Sequence, residues 1–307
     1  MSGTVLCIGA TLLDELYFST ASVVPHSSNP AQKTSSVGGV VRNIGSHLAL
    51  LEVPVSLLTA LGQDGDADFM VHQLAQMGLD SRASLRVDAP TGKYIAIHEP
   101  DGNLYVSVCD DACTPQLSAT YLATQSDYLS QFEWIVIDTN LASTTIQWII
   151  DFVRGTPIKL IIEPVSVSKA AKLRQLNLDG VYLITPNEDE LLQITGETKR
   201  SEKEAVDLLF ERGVSHVWVR KGSQGSVYWS ATACLPLEAA TIEIVDSTGA
   251  GDAALAGWLY GCIQGATPLE ALQWGHSLAF EVVQHKGAVL DTLNCQLLLQ
   301  FKTHYYD

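Results

Sequence analysis

The sequence predicts an α/β domain in which helices cover both faces of a mostly parallel β-sheet. Two observations support this prediction: short apolar runs recur through most of the 307 residues, and amphipathic stretches separate them. Strands that are apolar throughout are buried on both faces, which a parallel sheet between helices provides. The predicted strands are TVLCIGA, VSLLTAL, WIVIDT, IKLIIEP, VYLIT and HVWVRKG, and the predicted helices cover 40–52, 66–78, 142–154, 188–194 and 201–212.

A second feature interrupts this alternation with antiparallel strands. Residues 91–109 alternate apolar and polar side chains on either side of a Pro-Asp-Gly turn, which predicts a two-stranded hairpin with one buried face. Residues 17–37 are polar, contain proline and can supply further strands. A small sheet of this kind within an α/β domain is expected to cover a site. We therefore predict one domain over 1–307, with a lid formed by about 15–37 and 91–113.

Composition and charge argue against several classes of function. The chain carries 18 lysines and arginines against 34 aspartates and glutamates, and a net charge of −16 disfavours nucleic acids and anionic membranes as partners. The N-terminus lacks the pattern of a signal peptide, and no apolar run approaches the ~20 residues of a membrane span. Among the six cysteines, Cys109 and Cys113 lie close together but lack the further ligands of a zinc site. We expect a cytoplasmic protein without nucleic-acid or membrane partners.

The most informative stretch is VDSTGAGDAALAG at 245–257, where a predicted strand, ATIEIV, gives way to a small-residue helix. Gly249, Ala250 and Gly251 allow a tight turn and present N–H groups at a helix N-terminus, an arrangement that binds anions. Asp252 would stand beside that anion and could take a proton from an attacking hydroxyl. Alternatively, Asp252 only caps the helix and the glycines only turn the chain. The stretch by itself leaves both interpretations open.

Three further polar elements begin helices or follow predicted strands. VGGVVRN at 37–43 either lets a ligand approach the backbone closely or simply starts a helix. TPNEDE at 185–190 places Asn187 and Glu190 on one helix face, where they either hold Mg²⁺, directly or through water, or form a helix cap. RKGSQGS at 220–226 is either a loop against a nucleotide or a hairpin turn. Neither a dinucleotide-binding fingerprint nor a Walker A loop occurs.

Taken in order, these elements resemble the ribokinase-like (PfkB) family of sugar and nucleoside kinases over nearly the full chain. The glycine pair with Asn43, GQDG at 62–65, N-x-x-E at 187–190 and DSTGAGD at 246–252 match the family in order and spacing. The resemblance implies a three-layer α/β/α fold with a small β lid over the sugar, and ATP and Mg²⁺ as cofactors. HKGAVLDT at 285–292 matches the family's monovalent-cation loop only in part, which leaves activation by K⁺ open. The resemblance also allows a homodimer through the lid edge.

The resemblance assigns roles to individual residues. Asp252 matches the general base that takes a proton from a primary hydroxyl of the substrate. The amides that stabilise the transferred γ-phosphoryl group are matched by Gly249, Ala250 and Gly251. The positions that organise Mg²⁺, through water, are matched by Asn187 and Glu190. The positions that hold the sugar are matched by Asp14, Gly38, Gly39 and Asn43. The positions on the ATP side are matched by Asn187, Lys221, Gly222, Gly225, Thr248 and His276.

Within the family, the stretches SSNP, GGVVRN, IDTN, EPVSVSKAAKLR and ITPNEDE are similar to the pseudouridine kinases. This resemblance implies that a C-nucleoside is phosphorylated on its 5′-hydroxyl, with Asn29, Lys93 and Asn140 near the base. Glu163 departs from the aspartate that this subfamily often shows. The alternatives are a kinase of ribose, fructose, adenosine or 2-keto-3-deoxygluconate and, in a different class, a non-catalytic sugar- or nucleotide-sensing protein.

Overall fold

A computed structural model describes residues 3–196 and 201–306. The strands are β1 (Val5–Ile8), β2 (Leu12–Ser19), β3 (Ala31–Gly38), β4 (Val55–Leu58), β5 (Ala60–Leu61), β6 (Leu85–Arg86), β7 (Lys93–His98), β8 (Leu104–Asp110), β9 (Trp134–Asp138), β10 (Lys159–Glu163), β11 (Val181–Ile184), β12 (His216–Arg220), β13 (Ser226–Ser230) and β14 (Cys234–Leu237). The helices are α1 (Val40–Leu50), α2 (Gly65–Gln76), α3 (Ala119–Thr124), α4 (Ser126–Leu129), α5 (Ser143–Val153), α6 (Val167–Ala170), α7 (Glu188–Thr195), α8 (Glu202–Glu211), α9 (Ala250–Ile263), α10 (Pro268–Val282) and α11 (Cys295–Tyr306). Within this described part of the chain, no helix combines the length and the apolar character that crossing a membrane requires.

An eight-stranded sheet forms the centre of the molecule, in the order β14-β13-β12-β11-β10-β9-β1-β4. The strands from β12 to β4 in this order are parallel, whereas β13 and β14 are added antiparallel at one edge. Along β1, Val5 and Cys7 pack into one core and Leu6 and Ile8 into the other. Helices α1, α2, α9, α10 and α11 contribute to the first core, and α3, α5, α7 and α8 to the second. The predicted three-layer fold is confirmed.

A separate four-stranded sheet, in the order β3-β2-β7-β8, is the predicted lid. β7 and β8 form the expected antiparallel hairpin, and β3 comes from the polar segment 17–37, whereas β2 begins before that segment, at Leu12. β8 is an edge strand, and its apolar residues Leu104, Val106 and Val108 are 53%, 44% and 58% exposed. The prediction of a small β lid beside a mostly parallel sheet is therefore confirmed.

One predicted strand is wrong. The segment 240–245, ATIEIV, forms no strand in the described structure. The backbone N–H groups of Val245 and Asp246 both donate to the carbonyl of Val283, at 2.8 and 3.1 Å, and do not form a ladder with a neighbouring strand. Ile244 and Val245 are more than half exposed. Apolar alternation produces a strand only where a partner strand and a buried face are available, and this segment has neither.

The carboxyl ends of β1, β9, β10, β11 and β12 meet at one edge of the central sheet because these strands are parallel. The N-termini of α1 and α9 reach the same edge, where residues from both helices and from these strand ends line one cavity. Ligands of open α/β sheets bind outside the carboxyl ends of the strands.

Candidate active site

A cavity of about 570 Å³ lies at this edge. The predicted site residues that line it are Asp14, Gly39, Asn43, Asn140, Asn187, Glu190, Gly222, Gly225, Thr248, Gly249, Ala250, Gly251, Asp252 and His276. Those that lie outside the lining are Asn29, Gly38, Lys93 and Lys221. The fold thus gathers most of the predicted residues into one space, although they are distributed from β2 to α10.

Helices α1 and α9 both begin at the cavity with a glycine as N-cap. Gly39 and Gly249 have φ angles of 119° and 77°, in the left-handed region that favours glycine. Neither helix has a side chain that caps its first turn, whereas α2, α7, α8 and α10 are all capped by side chains. The first-turn N–H groups of α1 and α9 are therefore left for other acceptors.

The first turn of α9 is built to meet an anion. Its first amide, that of Ala250, donates to the carbonyl of Ser247 at 3.3 Å, because the turn from 247 to 250 closes on itself. The amides of Gly251 and Asp252 follow in the same turn, where the helix provides no carbonyl acceptor. The positive end of the helix dipole and these amides together make this position suited to an anion.

Asp252 is 8% exposed and lies beside this position. Its Oδ2 atom accepts a hydrogen bond from Asn43 Nδ2 at 2.8 Å. Burial raises the pKa of Asp252 to about 8; the Asn43 hydrogen bond and Arg220 oppose this rise, and Glu163 adds to it. A carboxyl group whose pKa is near neutrality is suited to accept a proton during turnover.

An ion pair between the partly buried Arg220 and the buried Glu163, which the sequence analysis missed, lies beneath the glycine turn. Arg220 Nη2 donates to both carboxylate oxygens of Glu163, at 2.8 and 2.9 Å, and to the carbonyl of Thr185. Burial alone would lower the pKa of Arg220, but the Glu163 carboxylate outweighs it and the pKa is raised. A Cβ atom on Gly251 would overlap Arg220 Nη1, so the turn requires glycine there. The available signal was a charged residue at the end of each of two otherwise apolar predicted strands.

Asn187 and Glu190 form the capping box of α7 and also line the cavity. Asn187 Oδ1 accepts the N–H of Glu190 at 2.8 Å, and Glu190 Oε2 accepts the N–H of Asn187 at 2.9 Å. The helix-cap interpretation of this motif is confirmed, and the Mg²⁺ interpretation stays a prediction for the same two residues. No cluster of three or more metal-binding side chains occurs in the described parts of the chain. A divalent cation here would take most of its ligands from water and from phosphate oxygens, as Mg²⁺ commonly does.

Asp14 also lines the cavity, in a part that we call the acceptor end and define by Asp14, Asn140, Val165 and Lys169. Burial raises the pKa of Asp14 to about 6. Gly38 lies behind it, because a Cβ atom there would overlap the Asp14 carboxylate. Gly38 thus shapes the site without lining the cavity.

The acceptor end also contains a cation that the sequence analysis did not single out. Lys169 Nζ donates to Asn140 Oδ1. Because lysine can only donate, the Asn140 amide must turn its oxygen towards Lys169, and its donating side serves Asp138. Val165 lines the same end with a φ angle of 67°, a left-handed conformation that costs a β-branched residue roughly 1–3 kcal/mol. Strain of this kind is concentrated at functional sites.

Another part of the cavity, which we call the nucleotide end, is lined by His276, Trp218, Gly222 and Gly225. The rings of His276 and Trp218 are nearly parallel, with an interplanar angle of 16° and centroids 6.3 Å apart. His276 Nε2 is hydrogen-bonded to Ser226 Oγ at 2.8 Å, and burial lowers the pKa of His276 to about 4, so the ring is neutral. The segment 220–226 is a hairpin turn between β12 and β13 and part of the cavity wall at once.

Three of the predicted residues outside the lining are engaged elsewhere. Lys93 forms an ion pair with Asp66 at 2.6 Å, and Lys221 forms one with Glu202 at the same distance. Asn29 hydrogen-bonds the backbone of its own loop. The acidic partners of the two lysines are distant from them in sequence, and those of Asn29 lie within its own turn. No sequence motif predicts either kind of contact.

Comparison with known proteins agrees with this geometry. The family model described as pfkB family carbohydrate kinase matches residues 2–294. The pseudouridine kinase of Escherichia coli is 28% identical over 265 residues, which are 82% of each chain. Arabidopsis thaliana ribokinase, solved with ribose and ATP, superposes with a TM-score of 0.84 at 20% identity over 98% of this chain and 99% of its own. A ribokinase II candidate from Escherichia coli, solved with ATP and Mg²⁺, gives 0.82 at 20% identity over 99% and 100%. The chain therefore belongs to the pfkB family of carbohydrate kinases, and it is a sugar or nucleoside kinase, a phosphotransferase with an alcohol group as acceptor.

Proposed function

We propose that the protein transfers the γ-phosphoryl group of ATP, with Mg²⁺, to the 5′-hydroxyl of pseudouridine. The observation that carries the proposal is the position of Asp252, a buried carboxyl group in the uncapped first turn of α9 that lines the same cavity as the other predicted site residues. Similarity to the Escherichia coli pseudouridine kinase supports the acceptor. The structural neighbours solved with ATP, and with ATP and Mg²⁺, support the donor and the metal.

In this proposal Asp252 accepts the proton of the 5′-hydroxyl while that oxygen forms a bond to the γ-phosphorus. The bond between the γ-phosphorus and the bridging oxygen breaks, and its electron pair leaves with ADP. The first-turn amides of α9 and the positive charge of Arg220 beneath them face the phosphoryl group and stabilise its charge. Proton transfer to a positioned base contributes about 10²- to 10⁴-fold to a rate.

Asn187 and Glu190 would hold Mg²⁺ through water molecules. The capping box fixes both side chains at the cavity wall, and both carry the oxygen atoms that Mg²⁺ prefers. When bound, the ion neutralises charge on the β- and γ-phosphates. The role of the protein is then to orient the water shell from one rigid helix start.

The cation at the acceptor end favours a base that presents carbonyl oxygens. Lys169 lines this space and can only donate, while Asp14 accepts and so suits the sugar hydroxyls. Uracil presents carbonyl oxygens to such donors, whereas adenine has none. Lys169 thus takes the position in the site that the sequence analysis gave to Lys93.

The proposal is tested by ADP production with ATP and Mg²⁺ against pseudouridine, uridine, ribose, fructose, adenosine and 2-keto-3-deoxygluconate. We expect the highest kcat/KM for pseudouridine, and ³¹P NMR should place the phosphate on the 5′-oxygen. A higher kcat/KM for ribose or adenosine would reject the acceptor but keep the kinase chemistry. Thermal stabilisation by these compounds without ADP formation would instead support a sensing protein. Repeating the assay in potassium and in tetramethylammonium chloride tests activation by K⁺.

We also infer that a second copy of the chain covers the lid edge. β8 presents a row of unpaired backbone groups along one side and the exposed side chains of Leu104, Val106 and Val108. An edge strand of this kind is a template for pairing, and a second copy can satisfy it by symmetric antiparallel addition. The Val108→Lys variant should elute as a monomer where the native protein elutes as a dimer, and a native monomer would refute the inference.

A further inference from the structure

Arg42 is a buried cation in the first turn of α1. Its side chain is 5% exposed, Nη1 donates to Asn43 Oδ1 at 3.0 Å, and Nη2 contacts Met77 Sδ at 3.8 Å. Its Nε atom has no hydrogen-bond partner among the described residues. Burial of an incompletely paired guanidinium is costly, so packing alone does not account for an arginine at this position.

Arg42 remains charged at neutral pH. Burial lowers its pKa to about 10, and the carboxylates of Asp14, Asp291 and Asp252 oppose that fall. These carboxylates belong to β2, to the segment after α10 and to α9, so the cation is surrounded from three directions. A charged guanidinium carries donors only, which determines what its neighbour must offer.

That neighbour is Asn43, whose amide has one accepting and one donating side. Because Arg42 can only donate, Asn43 Oδ1 must face Arg42, and Nδ2 must face Asp252, which accepts from it at 2.8 Å. A rotated Asn43 amide would present its oxygen to Asp252 instead. That arrangement would suit a protonated Asp252, which is useless as a base.

We propose that Arg42 is a positioning residue: by holding Asn43 Oδ1 it makes Asn43 donate to Asp252 Oδ2, which favours the ionised form of the base and leaves its Oδ1 for the acceptor hydroxyl. The inference rests on the proposed role of Asp252 as the base. It assigns to Arg42 an effect that passes through Asn43, since Arg42 does not contact the reacting atoms.

The other charged groups that face Asp252 do not reproduce this contact. Glu163 on β10 and Asp138 on β9 oppose ionisation, and Arg220 on β12 favours it. Arg220 Nη2, however, donates to Glu163 and to a carbonyl. The hydrogen bond that favours ionised Asp252 is thus donated by Asn43 Nδ2. The contact of Arg42 with Asn43 Oδ1 sets the orientation of that amide.

The Arg42→Met variant tests the proposal. We expect kcat to fall about 10-fold and the acid limb of the kcat–pH profile to move up by about one pH unit, because the freed amide favours protonated Asp252. KM for ATP should stay within about twofold, since Arg42 does not line the nucleotide end. Arg42→Lys keeps a donor-only cation, so its acid limb should lie between those of the native protein and of Arg42→Met.

Arg212→Met is the matched control, because Arg212 is a half-buried arginine that donates to the carbonyls of Leu173 and Leu176, away from the cavity. It should lower the midpoint of thermal unfolding without moving the acid limb. An Arg42→Met kcat–pH profile that matches the native one would overturn the proposal, whatever the stability of the variant.

If neither Arg42 variant folds, Asn43→Asp tests the same geometry, since a carboxylate there cannot donate to Asp252. An unmoved acid limb would again overturn the proposal. Full activity of Asp252→Asn would reject the base itself and is distinguishable from both results.

Discussion

Two parts of the cavity are built in different ways: the acceptor end, and the turn at 246–252 that we call the phosphoryl-transfer end. The phosphoryl-transfer end comes from one continuous stretch, 246–252, and an ion pair supports it from below. The acceptor end combines side chains from β2, from the loop after β9, and from the segment that runs from β10 into α6. The first end is local in sequence, whereas the second depends on how distant segments meet. Reaction chemistry is thus encoded in a short motif, and substrate choice in long-range packing.

The strongest way to break the phosphoryl-transfer end is Asp252→Asn. We expect kcat to fall by about 10³-fold because the variant cannot accept the hydroxyl proton. The KM values should change little, since the amide keeps the volume of the carboxyl and its contact with Asn43. Steady-state ADP production measures both parameters. Near-native kcat would show that Asp252 is not the base.

The same residue predicts opposite pH trends for activity and stability. Because burial raises the pKa of Asp252 to about 8 from its ordinary 3.8, native kcat should rise as pH increases through about 8. The unfolded chain loses this proton near pH 3.8, so the contribution to stability is intact below that value and is lost as pH rises towards 8. Asp252→Asn should therefore melt higher than the native protein at pH 8, and the difference should vanish near pH 4.

Gly251→Ala should damage the same end without removing the base. The added Cβ would overlap Arg220 Nη1, so either the glycine turn or the guanidinium must move. Displacing a preorganised donor typically costs about 10²-fold in kcat, and we expect a loss of that order. Gly65→Ala is the control, because nothing lies within 4 Å of its Cβ and its backbone is not left-handed. Equal kcat values for the two variants would contradict the close approach of Arg220 to the turn.

The contrast between the two ends explains which parts the sequence predicts. The central strands, the lid hairpin and the 246–252 turn are local patterns, and their residues lie in the structure as their spacing indicates. Lys93 and Lys221 carry no local sign that Asp66 and Glu202 pair with them. Long-range charge pairing depends on the tertiary structure, which one sequence does not display.

The Glu163→Gln substitution tests the ion pair of Glu163 with Arg220 beneath the phosphoryl-transfer end. The neutral glutamine leaves Arg220 without its counter-ion, which costs about 3–5 kcal/mol of unfolding free energy. We expect kcat to fall about 10-fold as the guanidinium loses its fixed position. Glu163→Asp keeps the charge but is too short to reach Arg220 and Thr185 together, and should lose less stability. Urea unfolding followed by circular dichroism measures the free energy of unfolding of each variant, and ADP production measures kcat. An equal loss of unfolding free energy in the two variants would argue against a charge effect.

Lys169→Met addresses the acceptor end and should have the smallest and most selective effect. Loss of the ammonium frees the Asn140 amide and removes a donor for the base, so kcat/KM for pseudouridine should fall about 10-fold. Ribose, which has no base, should be phosphorylated at an unchanged rate, and KM for ATP should stay constant because the nucleotide end is untouched. Lys203→Met is the matched control, since Lys203 is an exposed residue paired with Asp207 on α8. If ribose and pseudouridine lose activity equally, Lys169 only supports the loop after β9; a selective loss would show that this end of the cavity reads the base.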